Sequence, residues 1–304
     1  MKIIRNIDKN WQKLPKIALT IGNFDGIHFG HTKILEKLRL EAQERDLKTA
    51  LLTFEPHPAK IFGQNCQNRI YNLSEKGRIL KAQGLIDYLF IIHFDRNLIA
   101  INAEDFLKNI LLKNINMKYL LTGYDFCFGK NRKGNAVFLQ EKSQILDFKF
   151  EQILEQKFDN QTYSSTLIRK LIKNGQIKEV NNILARKFSI SGVIVKGMGL
   201  ARQIGYATAN IFPKKYQIQP KFGVYKVDIS IENGDFMAAI LNFGIKPTIG
   251  DEKKPIFEIH ILNFSQNIYG KKVRIRFLDF IREEIKFDNI DQLMVQIGRD
   301  LKKI

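Results

Sequence analysis

The strongest constraint on the fold is a regular alternation of two patterns between the N-terminus and residue 184. Short apolar runs of strand length alternate with longer segments that have the apolar spacing of a helix. The apolar runs are Lys16 to Ile21, Thr49 to Phe54, Tyr88 to His93 and Lys118 to Thr122, and the helical patterns include Thr32 to Arg45, Ser74 to Gln83 and Ala103 to Leu112. This alternation predicts an α/β fold with a parallel sheet covered by helices.

The pattern changes between Leu184 and Ser191, where we place a domain boundary. Beyond it the chain consists of short alternating strands interrupted by Gly, Asn and Pro, followed by a helical pattern from about Asn289 to Leu301. The strands are predicted at Ser189 to Lys196, Gly223 to Glu232, Phe236 to Phe243, Ile256 to Leu262 and Lys272 to Arg282. We expect domains at 1–184 and 185–304, the second a small closed antiparallel β-barrel.

The formal charge of +18 would suit nucleic acid, an acidic membrane surface or a polyphosphate ligand. The lysines are spread along the whole chain instead of forming one basic tail or helix face, which disfavours a nucleic-acid partner. An OB-like barrel that binds single strands through aromatic residues such as Phe222, Tyr225 and Phe243 stays open as an alternative.

Other signals favour a cytoplasmic protein that has no membrane partner. The stretch from Met1 to Trp11 carries charges throughout, and no apolar run is long enough to span a bilayer. Cys66 and Cys127 have no partner at a metal-ligand spacing, which argues against disulfides and a zinc site and fits a reducing compartment.

The first candidate site is the segment GNFDGIHFGH at residues 22–31, which lies between a predicted strand and a predicted helix. A glycine-containing turn at the carboxyl end of a parallel strand is where doubly wound folds bind nucleotides. Glycines allow the backbone to approach a phosphate, and the helix N-terminus supplies N–H donors. The candidate phosphate-binding residues are Gly22, Asn23, Phe24, Asp25, Gly26 and Gly30. His28 and His31 would stabilise charge in a nucleotidyl transfer, unless they are an accidental pair or part of a metal site.

This segment resembles the HxGH signature of the nucleotidyltransferase superfamily, in the form found in bacterial bifunctional riboflavin kinase/FAD synthetases. Three further segments resemble family motifs in the expected order, namely TFEPHP at 53–58, GYDFCFG at 123–129 and SSTLIR at 164–169. The resemblance implies a Rossmann-like nucleotidyltransferase domain with catalytic His28 and His31. It also implies a flavin site at His57, Pro58, Asp125, Phe126 and Phe128.

The SSTLIR segment also has a physical interpretation of its own. Ser164 or Ser165 can cap a helix whose first N–H groups bind a triphosphate together with Thr166 and Arg169. Without the resemblance, an ordinary capped helix explains the same residues.

The C-terminal half resembles the riboflavin kinase module of the same family. Residues 204–210, IGYATAN, resemble its G-x-P-T-A-N loop, which implies that Thr208 and Asn210 hold Mg²⁺ and that Gly197 lies near ATP. Residues 242–248, NFGIKPT, match a second motif. Glu258 corresponds to the family's catalytic carboxylate and would accept the proton of the attacking hydroxyl.

Several positions depart from the family pattern. Ala207 stands where proline is usual. The stretch before it typically carries arginines, but here it contains Met198, Leu200 and Ala201, and Arg202 is its basic residue. Cys127 and Leu167 also replace frequent arginines, and Lys130 and Arg132 could compensate. An enzyme with only one working half therefore stays open.

The resemblance implies two reactions on small-molecule substrates, with Mg²⁺ required in both. Riboflavin and ATP would give FMN and ADP in the C-terminal half. FMN and ATP would then give FAD and pyrophosphate in the N-terminal half.

Overall fold

The computed structural model describes residues 1–5, 14–61, 68–153, 157–158, 161–195, 208–247, 253–286 and 289–302. The chain forms two compact units. The first comprises Met1–Gln67 and Asn72–Ser164, and the second comprises Asn68–Tyr71 and Ser165–Ile304.

The first unit is built on a six-stranded sheet in which all neighbouring strands are parallel. Its strands are β1 (Lys2–Arg5), β2 (Ile17–Ile21), β3 (Lys48–Glu55), β4 (Tyr88–His93), β5 (Met117–Thr122) and β6 (Lys149–Gln152). The spatial order β1-β4-β3-β2-β5-β6 reverses direction between β2 and β5. Every residue of β2 is buried, as expected of a central strand covered on both faces. The predicted parallel α/β fold is confirmed.

Helices connect these strands. They are α1 (Phe29–Glu44), α2 (Pro58–Ile61), α3 (Leu73–Gln83), α4 (Arg96–Ala100), α5 (Ala103–Asp105), a π-helical continuation at Phe106–Asn114, a 3₁₀ turn at Lys130–Arg132, and α6 (Ala136–Ile145). A short antiparallel pair, β7 (Lys157–Phe158) and β8 (Gln161–Thr162), precedes the second unit. Helix α3 has clear end signals, since the Asn72 side chain accepts from the Glu75 N–H and Gly84 ends it in the left-handed conformation.

The second unit begins with α7 (Ser165–Lys173) and α8 (Ile177–Leu184) and contains a six-stranded antiparallel sheet. The sheet strands are β9 (Ser189–Val193), β10 (Thr208–Ile211), β11 (Gly223–Ile231), β12 (Phe236–Pro247), β13 (Lys253–Ile261) and β14 (Lys272–Arg282), and α9 (Ile290–Leu301) follows. Their spatial order is β10-β13-β12-β11-β14-β9.

The two edge strands of this sheet meet, which gives it the predicted barrel character. Val195, just beyond β9, donates its N–H to the Asn210 carbonyl in β10 at 2.9 Å. A side chain at Gly192 would collide with Ile211, so glycine permits this close approach. The interior holds fully buried rings, among them Tyr225, Phe243, Phe257 and Phe277.

Burial of these rings bears on the nucleic-acid alternative. Tyr225 and Phe243 have no exposed surface, whereas Phe222 is 40% exposed. Bases stack on exposed aromatic faces, so two of the three rings named for that alternative are unsuitable for stacking.

Candidate active sites

The first candidate site is the loop from Gly22 to His28, which joins the buried end of β2 to the start of α1. The loop turns sharply, with positive φ at Phe24 (44°), Gly26 (85°) and Ile27 (45°). Positive φ is uncommon for residues other than glycine, and such backbone persists where the surrounding structure holds it. Asp25 and His28 are buried within the turn.

Three rings stack beside this loop. His31 packs on His28 at a centroid distance of 3.8 Å and on Phe24 at 4.5 Å. A Cβ on Gly30 would lie 3.3 Å from the His28 ring, and one on Gly22 would lie 3.1 Å from the Phe24 ring. The two glycines therefore give room to the stack. His28 occupies the N-cap position of α1 without a capping hydrogen bond from its side chain.

The structure brings three of the predicted motifs to one edge of the sheet. The loop follows β2, the Pro56-His57-Pro58 segment follows β3, and Gly123 follows β5. These three strands are neighbours in the order β3-β2-β5, so their carboxyl ends lie side by side. The reversal of strand order between β2 and β5 makes this edge the position where open α/β sheets bind ligands.

The aromatic segment after β5 divides into an accessible part and a buried part. Asp125 is exposed and Phe126 is partly buried. Phe128 is 8% exposed and packs against Phe106 at 5.4 Å and Phe138 at 6.0 Å. Phe126 stacks on Phe128 at 5.5 Å. Of the two rings, Phe126 has the more accessible face for a ligand.

One residue at this edge was absent from the sequence prediction. Lys76 in α3 is 8% exposed, and its Nζ donates to the Asn23 carbonyl at 2.5 Å. The sequence contains a signal for it, because Lys76 shares the helical spacing of the buried Ile79 and Leu80 and so occupies an apolar-face position.

The SSTLIR segment spans the division between the two units. Ser164 ends the first unit, whereas Ser165 begins α7 in the second. Thr166 lies in the first turn of α7. Arg169 is partly buried, and its Nε donates to the Asn68 carbonyl at 3.1 Å, within the second unit.

The second candidate site lies across neighbouring strands. Asn210 in β10 pairs with Glu258 in β13, and Glu258 pairs with Asn242 in β12. Directly paired residues project from the same face of a sheet, so the three side chains form a row. Their neighbours Ala209, Ile259 and Leu241 are buried on the opposite, interior face.

The side chains of the row carry oxygen atoms on the face of the sheet opposite the barrel interior. Asn210 is buried, and the Oδ1 atoms of Asn210 and Asn242 accept no hydrogen bond from the part of the chain that the structure describes. Glu258 is partly buried. Amide and carboxylate oxygens suit a hard cation such as Mg²⁺, so the donor set fits the predicted metal. Within the described ranges there is no cluster of three or more His, Cys, Asp or Glu side chains for a metal.

A second carboxylate stands beside this row. The Asn242 Nδ2 donates to Glu284 Oε1 at 3.3 Å. The Glu284 carboxylate occupies the space that a side chain at Gly244 would fill, so a glycine in β12 makes room for it.

Part of the predicted kinase site lies outside the described residues. This applies to residues 196–207, which include Gly197, Arg202 and the departures from the family pattern at Met198, Leu200, Ala201 and Ala207. Thr208 is described as the first residue of β10, paired with His260, and its side chain is not described.

Comparison with known proteins links the two halves of the chain to two enzyme families. A family model of FAD synthetase matches residues 11–167, and a model of riboflavin kinase matches residues 184–304. The chain belongs to the bifunctional riboflavin kinase/FMN adenylyltransferase family. The resemblance seen in the motifs is thereby confirmed.

Relatives in this family match along almost their whole length. The bifunctional riboflavin kinase/FMN adenylyltransferase of Haemophilus influenzae is 37% identical over 303 residues, covering 99% of this chain and 97% of the relative. The protein of the same name from Escherichia coli K12 is 34% identical over 305 residues, covering 99% and 96%.

A solved structure has the same fold throughout. A Streptococcus pneumoniae protein described as a macrolide-efflux protein superposes with a TM-score of 0.88 at 29% identity, covering 99% of this chain and 98% of the other. Among the described residues, no helix of this chain is long and apolar enough to cross a membrane.

Proposed function

We propose that this chain makes FMN from riboflavin and then FAD from FMN, using ATP in both steps. The observation that carries the proposal is that two separate polar sites lie in separate units. Each unit contains most of the residues matched by one of the two family models. We assign adenylyl transfer to residues 1–184 and the kinase to residues 185–304. Helices α7 and α8 belong to the second compact unit, but they lie on the N-terminal side of this functional boundary.

In the kinase step, we assign Glu258 as the general base. Its carboxylate accepts the proton of the terminal ribityl hydroxyl as that oxygen attacks the γ-phosphorus of ATP, and the bond to ADP breaks. Asn210 and Thr208 are the proposed Mg²⁺ ligands, supported by the buried Oδ1 of Asn210 beside Glu258. When bound, Mg²⁺ supplies charge neutralisation on the ATP phosphates.

In the adenylyl step, a phosphate oxygen of FMN attacks the α-phosphorus of ATP and pyrophosphate leaves. The stacked His28 and His31 lie at the start of α1, where their rings and the helix N–H groups can donate hydrogen bonds to the phosphates. Gly22, Asn23, Phe24, Asp25, Gly26 and Gly30 form the proposed phosphate loop. For Ser164, Ser165, Thr166 and Arg169, the role of ATP contacts stays a prediction from the family resemblance.

The flavin of that step is proposed to lie along the neighbouring loops. His57 and Pro58 follow β3, and Asp125 and Phe126 follow β5, so both loops flank the phosphate loop. Phe128, which the resemblance named as a flavin residue, is proposed to support the Phe126 ring by stacking against it. We place both reactions in the cytoplasm, because Cys66 and Cys127 show no disulfide or metal spacing.

The test is a time course with purified protein, riboflavin, ATP and Mg²⁺, in which the flavins are separated by chromatography. FMN followed by FAD supports both activities. FAD formed only from added FMN means that the second unit has lost the kinase activity, whereas FMN alone means that the first site is inactive. No product from either flavin contradicts the enzyme function.

A further inference from the structure

Lys76 is a lysine whose side chain is buried in the first unit. Lysine is almost never buried unless its charge is paired or hydrogen-bonded, because removing an ammonium from water is costly. Lys76 is only 8% exposed and shares its helix face with the buried Ile79 and Leu80. By contrast, Lys81 on the same helix is exposed.

The Lys76 ammonium contacts two oxygens at the ligand-binding edge of the sheet. Nζ donates to the Asn23 carbonyl at 2.5 Å and to Thr53 Oγ1 at 3.3 Å. Asn23 belongs to the glycine loop after β2, and Thr53 lies near the carboxyl end of β3. The lysine therefore joins the start of the loop to the neighbouring central strand.

A second contact ties the same helix to the far end of the loop. Gln83 Nε2 in α3 donates to Thr32 Oγ1 in α1 at 3.1 Å. Thr32 directly follows His31, so α3 holds residues on both sides of the turn that presents the two histidines. The helix is itself secured at its start by the Asn72 cap and by an ion pair between Arg78 and Glu75 at 2.7 Å.

The loop needs such support because its backbone is unfavourable. Phe24 and Ile27 have positive φ, a conformation that non-glycine residues keep only where neighbouring groups hold it. Lys76 binds the carbonyl of Asn23, the residue directly before Phe24. Phe24 in turn stacks on His31. A contact at Asn23 can thus determine where the His31 ring lies.

We propose that Lys76 is a positioning residue for the adenylyl transfer, holding the glycine loop through the Asn23 carbonyl so that His31 meets the ATP phosphates in a productive geometry. This rests on the proposed function of the first unit. A small displacement of a catalytic group lowers the rate of the chemical step more than it weakens binding. Loss of Lys76 should therefore lower kcat and leave the KM for ATP nearly unchanged.

The experiment compares Lys76→Met, Lys76→Arg and Lys81→Met in the full-length protein. Lys81→Met is the matched control, because it removes the same charge from an exposed position of the same helix. FAD formation from FMN is measured over a range of ATP concentrations, and FMN formation from riboflavin is measured in the same preparations. Thermal unfolding is followed for each variant.

We expect Lys76→Met to reduce kcat for FAD formation by about 10- to 100-fold, with the KM for ATP changed by less than about threefold. Lys76→Arg should restore part of that loss because it keeps a charged donor. Lys81→Met and every kinase rate should match wild type. If Lys76→Met is too unstable to assay, Lys76→Gln, which keeps a donor of shorter reach, takes its place.

Three results would overturn the inference. They are FAD formation by Lys76→Met within twofold of wild type, a loss confined to the KM for ATP, and unfolding of every Lys76 variant. The second would indicate direct contact with ATP, and the third a purely structural role. Wild-type protein that forms no FAD would instead defeat the proposed function itself, and this inference with it.

Discussion

The two candidate sites are built in different ways. The site in the first unit consists of loops at strand ends, where β3, β2 and β5 finish side by side. The site in the second unit consists of residues inside strands, where Asn210, Glu258 and Asn242 are aligned by antiparallel register. A loop site depends on backbone conformation and close packing. The row of Asn210, Glu258 and Asn242 depends instead on the strand register, which decides which residues face each other. The two should therefore respond to different changes.

The largest expected effect tests the row of paired strand residues in the second unit. Glu258→Gln keeps the shape of the side chain and removes the proposed proton acceptor, so FMN formation should fall by about 10²- to 10⁴-fold. FAD formation from supplied FMN should stay at the wild-type rate, because the first unit is unchanged. Glu232→Gln, at an exposed position of the same unit, is the matched control. Equal loss of both activities in Glu258→Gln would contradict the separation of the two sites.

The reciprocal change tests the loop site. His31→Ala removes the middle ring of the Phe24–His31–His28 stack, and with it the proposed donor to the phosphates. FAD formation should fall by about 10²- to 10³-fold, the range seen when a donor to transition-state charge is removed. FMN formation should not change. His93→Ala is the matched control, because His93 is exposed at the carboxyl end of β4, the strand beside β3. This substitution should leave both rates unaltered.

A smaller effect tests whether the loop site depends on close packing. Gly30→Ala places a Cβ about 3.3 Å from the His28 ring and must displace it by a few tenths of an ångström. We expect FAD formation to fall by about tenfold, because misplaced catalytic groups react slowly. Gly298→Ala in α9 has open space around its Cβ and should be neutral in both assays. Wild-type FAD formation by Gly30→Ala would show that the stack tolerates movement.

The smallest effect concerns stability in acid. Burial raises the pKa of Asp87, but hydrogen bonds from Thr49 and the charge of Arg39 outweigh it and hold that pKa below the ordinary 3.8. A carboxyl with a depressed folded-state pKa contributes stability that is present above its unfolded pKa and lost as pH falls through the folded one. The advantage of wild type over Asp87→Asn in urea unfolding should thus shrink as the pH falls from about 5 through the folded-state pKa, which lies below 3.8. A constant difference would contradict this.

Much of the first site could be predicted from sequence because its parts are local. The segments at 22–31, 53–58 and 123–129 each follow an apolar strand, and parallel strands place their carboxyl ends at one edge. Glycine spacing and strand–helix alternation carry this information without any knowledge of distant contacts.

The rest required the tertiary structure, because it depends on pairings between residues far apart in the chain. The sequence shows Glu258 in an alternating strand, but only the strand register places it between Asn210 and Asn242. Likewise, only the fold brings the Glu284 carboxylate next to Gly244. In the same way, Phe128 is part of a loop motif in the sequence and a buried core ring in the fold.

By itself, the sequence determined the α/β and β-barrel architecture, the family and the strand ends that carry the proposed phosphate loop. These follow from local periodicity and from motifs read along one stretch of chain. Only the tertiary structure decided that a helix lysine reaches the Asn23 carbonyl and that three polar residues from three strands form one row. The physical reason is that burial and strand register arise from packing between distant segments, which no local pattern encodes.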